Sequence, residues 1–158
     1  MANHTELINK FYTAFNSLDA ETMNSCYSDD IVFFDPAFGL LRGEEARSMW
    51  RMLCKNAKDF SLTYGNIITL DDEYSTCDWV ATYTFSKTGK KVVNKVRANM
   101  KFADGKIIEH SDAFSLHRWA AQALGFSGWL LGWNTFFQTK IKNTAKRNLL
   151  HFMQGRQS

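Results

Sequence analysis

Two short stretches carry residue types that can move protons. In the first, Asp35-Pro36 ends the apolar run Ile31-Val-Phe-Phe. A carboxylate there is costly to bury unless it is paired or neutralised, and burial raises its pKa toward the range of a general base at neutral pH. The same dipeptide is also an ordinary way to stop a strand and cap a turn. The second stretch is Glu109-His110-Ser111-Asp112-Ala113-Phe114. Alternate residues of an extended chain share a face, so Ile108, His110, Asp112, Phe114 and Leu116 point one way. A His and an Asp among apolar neighbours would either line a cavity or pair with each other at a sheet rim. Asp35, His110 and Asp112 are also of metal-ligand type, but they lack any diagnostic spacing, and no metal is expected.

Other chemistries lack their signatures. The chain has no phosphate-binding glycine loop, dinucleotide fingerprint, zinc-protease helix motif or nucleophile elbow. Cys26, Cys54 and Cys77 are well separated and odd in number. They suggest neither a disulfide framework nor structural zinc, and a reducing cytoplasm is the expected location. Cys54 and Trp50 fall on the apolar face of a predicted helix, where core or cavity-wall roles are expected.

The elements that must position these residues are legible from periodicity. Leu7, Ile8, Phe11, Phe15 and Leu18 recur at helical spacing after Thr5, which can cap the helix. Asp19 starts a shorter helix ending near Tyr27. Ile31–Phe34 reads as a strand, Gly39 and Gly43 bracket a hairpin or loop, and residues 44–58 read as a third helix. Turn signals at Asp71-Asp72, Thr88-Gly89 and Asp104-Gly105 then cut residues 60–117 into four strands, roughly 60–70, 74–86, 91–102 and 106–117. Their short connections imply an antiparallel meander. Helices followed by strands give an α+β class, with one sheet of four to six strands carrying helices on one face.

The remainder of the chain differs. Residues 119–137 are rich in Trp, Phe and Leu and interrupted by Gly125, Gly128 and Gly132, and 140–153 reads as a basic amphipathic helix. Residues 118–158 carry six Lys or Arg and no acid, within a total of +3 over 158 residues. A mildly acidic body therefore carries a basic tail. Packing of this tail on its own body or on a partner subunit is expected first, over a cavity mouth or at a dimer interface. Attachment to an anionic membrane surface is the lesser alternative. Nucleic-acid binding is not expected from so modest a patch. Residues 1–10 are polar, so no signal peptide is expected, and no run of 18 apolar residues exists. At 45% apolar and 22% charged, the composition is that of a single globular domain. Aromatics at 15% suggest a lined cavity as well as a core.

The order of elements resembles the nuclear transport factor 2-like superfamily, the cone-shaped fold of ketosteroid isomerase and the SnoaL-like polyketide cyclases. The resemblance is carried by Leu7-Ile-Asn-Lys-Phe-Tyr-Thr-Ala-Phe-Asn, Cys26-Tyr-Ser-Asp-Asp-Ile-Val-Phe-Phe-Asp-Pro, Arg42-Gly-Glu-Glu-Ala and Phe102-Ala-Asp-Gly-Lys-Ile-Ile-Glu-His-Ser-Asp-Ala-Phe. It implies a single cone domain over 1–117, N-terminal helices on a strongly curved, mainly antiparallel sheet, with 118–158 as a helical extension of the same domain. Asp35 matches the isomerase's general base. The isomerase's oxyanion Tyr falls on Phe11, with Tyr12 facing elsewhere, and its oxyanion Asp falls on Ala98, or on Asn99 if the register slips. Loss of one such donor costs about 10²–10³ in rate, so classical ketosteroid isomerase activity is not expected.

What the resemblance implies instead is a cofactor-free acid/base enzyme, an isomerase or cyclase acting alpha to a carbonyl of an apolar or polyketide-like compound. Asp35, His110 and Asp112 would be catalytic, and Phe34, Trp50, Trp79, Tyr83, Met100 and Phe114 would line the cavity. The alternative on the same fold is a non-catalytic ligand-binding or protein-interaction module. The resemblance also implies a homodimer.

Overall fold

The computed structural model describes residues 3–157. Helices α1 (His4–Asn16) and α2 (Ala20–Ser25) come first, followed by strands β1 (Tyr27–Asp35) and β2 (Gly39–Arg42) and helix α3 (Glu44–Asn56). Then come β3 (Ser61–Thr69), β4 (Tyr74–Phe85), β5 (Lys90–Ala103) and β6 (Lys106–Ala113). Helices α4 (Leu116–Leu124), α5 (Phe126–Leu131) and α6 (Thr135–Gln157) end the chain.

Local chemistry explains the boundaries. α1 is capped by Asn3, whose side chain accepts the Thr5 N–H, so the cap sits two residues before the expected Thr5. Asp19 caps α2 by accepting from Thr22 N–H. The β5–β6 turn is Asp104-Gly105, with φ of 52° and 74°, the left-handed pair that suits a two-residue hairpin. Ser115 accepts from Arg118 N–H and starts α4, so β6 stops at Ala113 and Leu116 belongs to a helix rather than to the strand.

The six strands form one sheet in the order β2-β1-β6-β5-β4-β3. Only the β1–β6 pair is parallel, because the whole α3-to-β5 excursion lies between these strands. Register shifts occur within β1–β6, β3–β4 and β5–β6. Such bulges bend a sheet. The shift in β5–β6 also changes which residue faces inward. Ile107 is buried and Ile108 only half-buried, contrary to the simple alternation counted back from His110.

The core lies between the concave face of the sheet and α1 and α3. Ile8, Phe11, Tyr12 and Phe15 come from α1, Met49 and Trp50 from α3, and Phe33, Trp79, Val96 and Ile107 from the strands. Removing this much apolar area from water is the main stabilising term. α6 packs beside α3 and buries Leu149, with Ala145, Phe152 and Met153 against the same core.

Candidate functional site

Strand alternation places the two acids. On β1, Ile31, Phe33 and Asp35 turn inward, and Phe34, which was expected to line the cavity, points outward at 43% exposure. At the strand's end the Asp35 Oδ1 accepts the Ala37 N–H (3.0 Å) and the Phe38 N–H (2.6 Å). Asp35 thus caps the turn after Pro36, as its position predicts, and is buried as well. Both bonds use Oδ1, which leaves Oδ2 without a partner among the described residues. Burial pushes the carboxyl up to about 7 against the pull of the Phe38 N–H, and the nearby Asp112 charge adds to the rise.

On β6, His110 and Asp112 face inward as expected, and form a pair. His110 Nε2 lies 2.9 Å from Asp112 Oδ1. The other side of the ring meets a residue that the sequence pattern does not single out. Tyr27 Oη lies 2.6 Å from His110 Nδ1, and the Trp50 Nε1–H donates to that same hydroxyl at 2.9 Å. At the far end the Trp79 Nε1–H donates to Asp112 Oδ1 at 3.3 Å. The polarity of the chain follows from its ends. An indole N–H can only donate, so the Tyr27 oxygen accepts from Trp50 and its O–H is left to donate to His110 Nδ1. His110 Nε2–H then donates to Asp112. Every nitrogen of this buried row is satisfied, as burial requires. Burial raises the Tyr27 phenol well above its ordinary value.

A cavity of about 790 Å³ opens beside these groups. Asp35, Asp112, Trp50, Trp79, Tyr83 and Phe114 are on its wall, with Phe15 and Phe38. The two carboxylates therefore share one apolar space. His110 does not reach it: the ring is fully buried behind Asp112, with both nitrogens engaged. Met100 is also buried and off the wall, opposite His110 in the β5–β6 register, where it packs in the core. The tail closes one side of the cavity through Phe137, Ile141, Ala145 and Phe152 of α6 and Trp119 of α4. The Trp119 indole N–H donates to Tyr83 Oη at 2.8 Å. The Tyr83 O–H itself has no acceptor among the described residues, and burial raises its pKa, helped by the Asp35 charge.

The α1 positions also differ from expectation. Tyr12, expected to face elsewhere, is fully buried, stacked on Tyr64 and beside Trp79. Its hydroxyl has no partner among the described residues. Phe11 is buried too, edge-on to Trp50 and His110. α1 is enclosed on both of these flanks, so adjacent residues face inward together. Ala98 is buried directly across from Asp112 in the sheet register, and Asn99 pairs with Ser111. Among the described residues no group of three or more His, Cys, Asp or Glu could hold a metal ion.

A family model described as a SnoaL-like domain matches residues 8–110. The chain is similar in fold to TsrD from Streptomyces laurentii, at 18% identity and a TM-score of 0.66, over 77% of this chain and 95% of that one. It is also similar to a hypothetical protein with a ketosteroid isomerase-like fold from Catenulispora acidiphila, solved in complex with trimethylamine (14% identity, TM-score 0.65, 78% and 94% covered). IdmH from Streptomyces antibioticus, provisionally a polyketide cyclase, matches at 22% identity and a TM-score of 0.63, with 75% and 96% covered. Comparison with curated proteins gives no match.

Proposed function

This chain belongs to the SnoaL-like domain family, and we propose that it binds an apolar carbonyl compound in the cavity and moves a proton alpha to that carbonyl without a cofactor. The observation that carries this reading is the buried Asp35 carboxyl, raised to about 7 on the wall of an apolar cavity of about 790 Å³. A base serves best when its pKa lies near the working pH.

The steps balance with the chain's own groups. Asp35 takes the proton from the carbon alpha to the carbonyl, and the electron pair of that C–H bond moves into an enolate. The Tyr83 O–H, held by Trp119 and free to donate, stabilises the enolate oxygen. The enolate carbon then attacks a second carbonyl of the same substrate, whose oxygen takes the proton back from Asp35 as the hydroxyl forms, or the Asp35 proton returns at another carbon. The first outcome is an aldol-type cyclisation and the second an isomerisation. The provisional description of IdmH as a polyketide cyclase fits the first.

Asp112 supplies a second carboxylate to the cavity. Its Oδ1 is held by His110 and Trp79. His110 acts through Asp112 as a positioning residue. Asp112 lies opposite Ala98, so it brings a carboxylate beside the place where the isomerase has one.

A non-catalytic binding protein is the second reading. It is favoured by the missing oxyanion donors at Phe11 and Ala98 and by the sequestration of His110.

Deuterium exchange at the alpha carbon of an aryl β-diketone, followed by NMR in heavy water, separates the two readings. We expect exchange by the wild type and a loss of about 10²–10⁴-fold in Asp35→Asn. Ligand uptake with no exchange in either protein would leave binding alone.

A further inference from the structure

We propose that the knuckle formed by α5 and the start of α6 is a docking surface for an anionic lipid bilayer. The knuckle is built inside out. Gly128 and Gly132 are its buried positions. A Cβ at Gly128 would overlap the Ala120 carbonyl oxygen, and one at Gly132 would come within 2.7 Å of His117 Cδ2. The glycines therefore let α5 lie directly on α4, and the large side chains are turned out. Phe126 is 75% exposed, Trp129 56%, Leu130 59%, Trp133 74% and Phe136 80%.

These side chains stand on a defined platform. His117 stacks on Trp133 at 4.0 Å between centroids, and its Nε2 lies 2.9 Å from the Trp129 carbonyl oxygen. Phe126 stacks on Trp129 at 5.9 Å. A contiguous apolar protrusion of this kind marks a surface that meets a partner.

Charge selects the partner. No Asp or Glu occurs after Asp112. Phe136, Lys140, Asn143 and Arg147 follow one another at helical spacing on the exposed face of α6. Lys90 lies against Gly125, its Cε 3.0 Å from where a Cβ would stand. Lys90, Lys140 and Arg147 have no acidic partner among the described residues. Trp and Phe at headgroup depth, flanked by unpaired Lys and Arg over lipid phosphates, are the chemistry of an interfacial anchor. No helix among the described residues is long and apolar enough to cross a bilayer, so the contact is superficial and reversible. The proposal does not depend on what the cavity does.

The test is flotation of the full chain with extruded vesicles, either phosphatidylcholine alone or with about 30 mol% phosphatidylserine. At about 50 mM salt we expect at least about tenfold more protein on the anionic vesicles, falling at about 0.5 M. The double variant Trp133→Glu/Phe136→Glu should lose about tenfold in binding, with unchanged circular dichroism and melting temperature because both side chains are already exposed. Failure to float with anionic vesicles, or equal flotation with both compositions, overturns the proposal. So does a wild-type dimer that the double variant turns into a monomer with no vesicle binding by either protein, which would assign the knuckle to a second copy of the chain.

Discussion

Trp50 on α3 is buried against Phe11, Phe15 and Phe33 and donates its indole N–H to Tyr27, whereas Trp133 beside α5 stands three-quarters exposed with His117 against it. The contrast extends to the surroundings. Around Trp50 the aromatic rings enclose a polar row whose bonds are made inside the core. Around Trp133 it is glycine that is buried, and the rings face out. Apolar content alone therefore says little about burial. What decides it is which small or large residue occupies the face that the backbone packing needs.

The sharpest way to break this contrast is to cut the polar row. His110→Ala removes a fully buried ring, leaves the Tyr27 hydroxyl without its acceptor and takes one of the donors from Asp112. We expect a loss of about 4 kcal/mol in chemical denaturation, combining a cavity with stranded polar groups. A loss below about 1 kcal/mol would mean that the row is not a structural unit.

Gly128→Ala attacks the other region. Its Cβ would meet backbone, which cannot swing aside, so we expect about 3 kcal/mol of destabilisation, or release of α5 seen as faster amide exchange in α4 and α5. Unchanged stability and exchange would show that α5 does not rest on α4 as described.

The third test uses pH. Burial keeps the Asp35 carboxyl protonated in the folded chain up to about pH 7, whereas the unfolded chain ionises near the ordinary value of about 4. Between those pH values the folded state holds the extra proton. This group's contribution therefore falls as pH rises from about 4 to about 7 and is flat above. Asp35→Asn lacks the dependence and can still accept from Ala37 and Phe38. Its stability relative to wild type should rise by about 2–3 kcal/mol between about pH 5 and about pH 8. The smallest effect is that of Trp133→Ala, which should change stability by less than about 0.5 kcal/mol.

The sequence carries much of this. The hairpin signal at Asp104-Gly105 is realised as two left-handed residues, and the four strands after residue 60 begin and end within four residues of expectation. Alternation also turned His110 and Asp112 inward together. Alternation cannot give depth, however, so the sequestering of His110 behind Asp112 is not written in the spacing. Tyr27 was hidden for another reason. It reads as the end of a helix, and a register shift between Tyr27 and Val32 puts Asp29 outside while Tyr27 stays in. A bulge likewise moved Ile108 off the face it shares by parity with His110. Phe34 failed on parity alone: two residues from Val32 and one from Asp35, it belongs to the outer face. In the tail, packing on the body or on a partner subunit is what the sequence leads one to expect; which residues it buries is not written there, and close helix contact buries Gly128 and Gly132 while Phe126, Trp129 and Trp133 face out.

The central claim is that Asp35 is a cavity carboxylate poised as a base. Carbon-13 NMR of the aspartate carboxyls, with the Asp35 resonance assigned by its loss in Asp35→Asn, measures this directly. The account predicts a titration midpoint of about 7. A midpoint near the ordinary carboxylate value of about 4 would contradict it.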